Sequence, residues 1–209
     1  MRHCLAFALV LATATSQATP SAPVTPDFNF VEGSYLRGRI VDDFWLVSRF
    51  DGLDLRGSRK FGRWLLGARA ERLTTDRFEA VESTGMRSQG RTSLTVGGGT
   101  FFTPQEHLTI PVQAGIARAE LKSSFFIDGE SVSERESGTG YFVSLGLIAK
   151  YKNIEAEHEF HFRDVMGDQV FEQRSDLRFF FSPALALGIG HRDMDLSMKA
   201  LTATLRWNF

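Results

Sequence analysis

Five residues with ionisable side chains alternate along segment 154–164. With the period of two of an extended chain, Glu155, Glu157, Glu159, His161 and Arg163 fall on one face, and Ala156, His158, Phe160 and Phe162 on the other. A row of three carboxylates can draw a cation along a narrow path, and a histidine beside an acid can move a proton. In a sealed interior the same row needs counter-charge, because burying unpaired charge is costly. Lys150, Arg174 and Arg178 lie nearby in the chain, and Asp54, Arg56, Arg69, Glu71, Arg91 and Arg206 fall on matching faces of other segments.

Three chemistries follow. The first is a charge-paired plug, in which side chains simply fill the interior of a small barrel. The second is a narrow, cation-preferring pathway along Glu155, Glu157 and Glu159, joined to His161, Arg163, Arg178 and Arg206. The third is a hydrolase near a rim, using His161 with Asp164 or His191 with Asp193 and Asp195. His158 and His161 face opposite sides and do not form a metal pair, so neither a metal nor a cofactor is expected. The plug is the expected state and enzymatic activity is not.

The elements that would carry these residues are strands. After residue 18 no stretch approaches 18 consecutive apolar residues, and no long window has helical spacing. Alternating runs of about ten residues recur instead, as membrane-spanning strands require. Tight turns at 59–63, 102–106, 150–153 and 181–184 carry Gly, Pro or Asn. Polar segments at about 38–50, 73–87, 120–138, 165–173 and 192–197 read as water-exposed loops.

This spacing predicts strands at 28–37, 50–59, 63–72, 88–101, 107–119, 139–150, 153–164, 174–181, 184–191 and 198–209. The expected fold is all-β, a closed antiparallel transmembrane β-barrel of about ten strands, with eight as the alternative if 38–50 is no strand boundary. Outward parity selects Leu94 and Val96, Leu108 to Ile116, Tyr141 to Leu147, Leu177 to Phe181, and Leu185 to Ile189. Gly97, Gly115, Gly146 and Gly188 point inward. Pro111, inside the fifth strand, removes a ladder donor and marks either a bulge or a strand start.

Residues 1–18 have a basic start, an apolar stretch and Ser16-Gln17-Ala18, the pattern of a cleaved secretory signal. Cleavage would discard Cys4, the only cysteine, and Arg2, taking the 24 Lys and Arg to 23 against 25 Asp and Glu. That balance argues against nucleic acid as a partner. Residues 19–27, with Pro20, Pro23 and Pro26, read as an extended periplasmic leader, and 28–209 as the barrel domain.

Three patches resemble a family. Phe28-Asn29-Phe30-Val31-Glu32-Gly33-Ser34-Tyr35 is similar to the first strand of small proteobacterial outer-membrane β-barrels, OmpA-like or porin-like. Ser182-Pro183-Ala184-Leu185-Ala186-Leu187-Gly188 is similar to their last turn and following strand. Leu205-Arg206-Trp207-Asn208-Phe209 resembles the closing signal, with Trp207 and Phe209, that the barrel-assembly machinery recognises. The resemblance implies an outer-membrane location and contact with outer-membrane lipid and lipopolysaccharide. A monomer with a structural or surface-interaction role is expected, its specificity held by the loops.

Overall fold

The computed structural model describes residues 26–41, 47–76, 85–127, 130–194 and 198–209. The signal segment 1–18, nearly all of the leader, and Phe44, Trp45 and Asp195 lie outside the described residues. Ten strands form: β1 (Phe30–Val41), β2 (Val47–Phe61), β3 (Trp64–Asp76), β4 (Gly85–Gln105), β5 (Leu108–Ile127), β6 (Glu130–Tyr151), β7 (Ile154–Val165), β8 (Asp168–Phe180), β9 (Leu185–Met194) and β10 (Met198–Asn208). Each pairs antiparallel with its chain neighbours, and β1 closes on β10 from Phe30↔Asn208 to Ile40↔Met198. The eight-strand alternative is therefore set aside, because β1 and β2 are distinct strands paired from Phe30↔Ser58 to Val41↔Val47.

Parity governs the wall. Thr202, Thr204, Arg206 and Asn208 of β10 are buried, whereas Leu201, Leu205, Trp207 and Phe209 are exposed on the outside. The outward sets expected for β4 to β6, β8 and β9 follow the same rule, with Val96, Ile116, Leu145, Phe179 and Ile189 all exposed. Aromatics gather at the end carrying the tight turns: Phe61, Trp64, Phe102, Tyr151, Phe181, Trp207 and Phe209. Tyr35 and Tyr141 lie toward the other end, so the apolar belt has an aromatic border at each side.

The structure corrects two of the expected loops. Segment 120–138 continues β5 and β6 as a hairpin, paired from Glu120↔Ser137 to Ile127↔Glu130. Above the rim both faces meet water, so the apolar alternation that marks a strand disappears there. Segment 165–173 contains only a two-residue turn. Met166 (φ 63°) and Gly167 (φ 81°) join Val165 to Asp168, the left-handed pair of a type I′ hairpin.

Pro111 resolves as a local break inside β5. The β5–β6 ladder runs to Thr109↔Ile148 and resumes at Val112↔Leu145. Gly146 stands opposite because a Cβ there would meet the proline ring at 2.7 Å.

Candidate functional site

The interior of the barrel is a layered ionic column. At the turn end Phe28, just before β1, packs with Leu65, Ile148 and Phe101 into an apolar layer. At the opposite end Leu36, Phe50, Leu73, Met194 and Ala200 form another, flanked by Ile40 and Met198. Between them, among the described residues, eight arginines (56, 69, 91, 163, 174, 178, 192, 206) and eight carboxylates (Glu32, Asp54, Glu71, Glu155, Glu157, Glu159, Glu172, Asp176) point inward. The charges balance within the lumen itself.

The pairs form a continuous chain along the axis. Arg206 Nη1 donates to Glu155 at 2.8 Å, and its guanidinium lies 3.8 Å from the ring centre of Phe30. Glu155 also meets Arg178 at 3.2 Å, and Arg178 reaches Glu32 at 2.7 Å, Glu157 at 2.6 Å and Asp176 at 3.1 Å. Arg56 grips Glu157 through both terminal nitrogens, at 3.0 and 2.9 Å, and reaches Glu32 and Glu159. The fork geometry of arginine permits this sharing, and lysine could not reproduce it.

Arg174 carries the chain upward, from Glu32 at 2.7 Å and Asp176 at 2.5 Å to Asp54 at 3.4 Å. Arg69 and Arg192 then share Asp54, Glu71 and Glu172, and Arg91 meets Glu71 at 3.0 Å. Desolvation of so many charges is tolerable because most of them have several partners.

Of the residues singled out in the sequence, Glu155, Glu157, Glu159, Arg178 and Arg206 join this column. His161 and Arg163 share its face but not its ion pairs. His161 stacks on Phe142 with ring centres 5.2 Å apart, and among the described residues no carboxylate lies within ion-pair distance of Arg163. Beside Glu157, Glu159 and His161 is a cavity of about 60 Å³, walled also by Gly67, Thr95, Gln113 and Gly146. It has room for a few water molecules.

Sequence reasoning missed Glu32, Glu172, Asp176 and Arg192, which hold the middle of the column. Parity could have found Asp176, two residues from both Arg174 and Arg178, and Glu32 between inward Phe30 and Ser34. Glu172 and Arg192 were hidden in segments that read as loops.

Among the described residues the rim-hydrolase pairs are not assembled, and Asp195 lies outside them. His161 faces the lumen while Asp164 faces outward, and His191 and Asp193 also lie on the outer face. One serine–histidine contact does exist, on the lipid side: His158 Nδ1 and Ser175 Oγ are 2.7 Å apart. Among the described residues no carboxylate lies within ion-pair distance of His158, and the backbone amides around it are committed to the β7–β8 ladder. The contact pairs two polar groups in an apolar belt. The described residues hold no cluster of histidine, cysteine and acid groups suited to a metal.

An apolar exterior, aromatic borders and a polar, charge-paired interior in a closed antiparallel barrel define the fold of the small outer-membrane β-barrels. Two solved barrels share this fold. The β domain of the Bordetella autotransporter BrkA is 12% identical, with a TM-score of 0.53, over 88% of this chain and 100% of that one. The translocator domain of the autotransporter NalP from Neisseria meningitidis is 9% identical, with a TM-score of 0.51, over 100% and 95%. Ail, the attachment invasion locus protein of Yersinia pestis, is 16% identical, with a TM-score of 0.41, over 85% and 97%. No protein-family model and no curated protein sequence matches the chain.

Proposed function

We propose that this protein is a structural and surface-interaction barrel of the bacterial outer membrane, exported by a cleaved signal and closed to solute flow. The observation that carries the reading is the ionic column itself: a continuous chain of ion pairs that links, among the described residues, every inward charge but Arg163 between two apolar layers. A pore for ions would leave some of these charges solvated and unpaired.

Recognition then falls to the part beyond the rim. The last β6–β7 pair is Gly140↔Val165, so residues 130–139 of β6 have no β7 partner and form one edge of a ribbon with β5 and β4. Such an edge offers backbone donors and acceptors to an added strand. Its partners in the envelope are outer-membrane lipid and lipopolysaccharide, and during biogenesis the barrel-assembly machinery reads Trp207 and Phe209.

Planar-bilayer recording of the purified protein tests the closed lumen, with no sustained conductance expected. A steady cation-selective current would establish the second reading, a narrow path past Glu155, Glu157 and Glu159, for which the cavity beside Glu159 is the favouring feature. Outer-membrane fractionation with heat-modifiable gel mobility tests the location, and recovery in the soluble periplasm would overturn it.

A further inference from the structure

The outer surface of β10, β1 and β2 carries an arrangement that neither barrel closure nor the ionic column explains. Lys199, Arg39 and Arg49 are direct cross-strand partners on three adjacent strands, and all three point outward and are exposed. Opposed residues have Cβ atoms about 4.5–5.5 Å apart, and like charges in that position are destabilising. The row is bounded by acidic residues, Asp193 opposite Lys199 on β9 and Asp76 opposite Arg49 on β3, and it is Arg39 at the centre that has a cation on each side. One row nearer the belt, Arg37 is 3.9 Å from Asp51, whose carboxylate accepts a 2.6 Å hydrogen bond from the Tyr35 hydroxyl.

Directly below, toward the turn end, the same strands form an open apolar groove of about 720 Å³. Its floor is low because Gly33, Ala70 and Ala203 face outward where their neighbours Leu53, Leu55 and Leu205 stand tall. Tyr35 separates the groove from the cations, and Arg72 lines its side. Nothing within the barrel requires a glycine at 33: an added Cβ would meet no atom within 4 Å.

We infer that this face is a binding site for one phosphorylated, multiply acylated lipid of the outer leaflet. A phosphate group lies against Lys199, Arg39 and Arg49, and an acyl chain lies in the groove over Gly33. Phosphate relieves the centre of the row, where Arg39 has a cation on each side, by replacing that repulsion with charge-assisted hydrogen bonds. The spacing suits one molecule, with its charged head at the border of the belt and its chains running down the wall. This inference rests on the outer-membrane reading and names a lipid for it.

The test uses the purified full chain in neutral detergent, titrated with bisphosphorylated hexa-acyl lipid A, its dephosphorylated form and inorganic phosphate, and read by native mass spectrometry. Wild type should prefer the phosphorylated lipid. Arg39→Gln/Arg49→Gln/Lys199→Gln should weaken that binding about tenfold or more, because these cations supply the attraction for the anionic head. Gly33→Leu should weaken it severalfold without altering the response to inorganic phosphate. Arg59→Gln/Arg63→Gln, at the turn end, should behave as wild type.

Heat-modifiable mobility checks that each barrel is folded. If the triple variant does not fold, Lys199→Gln alone should still weaken phosphorylated-lipid binding. Equal binding of the dephosphorylated lipid, inorganic phosphate binding as tightly as the lipid, or retention of full affinity by the folded charge variants would each overturn the site. Failure of fractionation into the outer membrane is a separate result and would overturn the location instead.

Discussion

The inward face of β7 and β8 presents Glu155, Glu157, Glu159, His161, Arg163, Glu172, Arg174, Asp176 and Arg178, while the wall of β4, β5 and β6 presents chiefly Ser93, Thr95, Gly97, Gly99, Gln113, Gly115, Ala117, Ser144 and Gly146. One wall is made of long charged side chains and the other of small ones. They are complementary in volume, since a ten-stranded lumen cannot hold long side chains from every strand. The difference teaches where the strength of the barrel interior resides. On the charged wall it lies in shared ion pairs, and on the small wall in close backbone approach.

Removing the most connected arginine breaks this comparison at its strong side. Arg178→Met leaves Glu32, Glu155, Glu157 and Asp176 short of a counter-charge in a buried interior, for an expected loss of about 3–5 kcal/mol. Urea unfolding of the barrel in lipid vesicles measures it. A loss below about 1 kcal/mol, the range of an exposed pair, would mean the column is no more than a set of independent contacts.

Among the described side chains Arg91 is the one inward arginine from the small wall, and it sharpens the contrast. Among the described residues its only ion pair is with Glu71, and Glu71 keeps Arg69 and Arg192 when Arg91 is lost. Arg91→Met should cost about 1.5–3 kcal/mol, the value of a hydrogen bond to a charged group, and less than Arg178→Met in the same urea titration. Equal losses would show that connectivity does not govern the column.

The small wall fails for a different reason. At Gly97 an added Cβ would lie 2.4 Å from the Ala114 carbonyl oxygen and 2.7 Å from the Phe142 ring. Gly97→Ala should therefore cost about 1–3 kcal/mol through overpacking, without disturbing any charge. The paired variant Gly97→Ala/Phe142→Leu should recover part of that loss by relieving the ring, though not the carbonyl. Full stability in the single variant would mean the wall is loosely packed.

How far this architecture was legible follows from the same contrast. Where one face meets lipid, as at Leu201, Leu205 and Trp207, alternation is strict and strand, parity and closure could all be read. Where both faces meet water, as at 120–138, a strand looks like a loop and the ribbon was invisible. Within the site, the row Glu155 to Arg163 was evident because charge repeats at period two. Its partners Glu32, Glu172 and Arg192 were not, because pairing across a lumen depends on register between strands far apart in sequence.

The ribbon above the rim provides the weakest test, and one with a defined pH sign. Glu120 accepts a 2.5 Å hydrogen bond from Arg135, and Lys122 lies 3.6 Å away. That hydrogen bond, with the attraction of both cations, holds the Glu120 carboxyl below its ordinary value. A carboxylate depressed in this way stabilises the paired form at pH values above its unpaired titration. The benefit disappears as the pH falls through the lowered value, so the ribbon loosens on the acid side only. Amide exchange near Glu120 and Arg135 should quicken at acid pH relative to amides of β8, and Arg135→Gln should abolish that difference while leaving the urea midpoint of the barrel unchanged. A shift in the midpoint would mean that ribbon and lumen wall unfold as one unit.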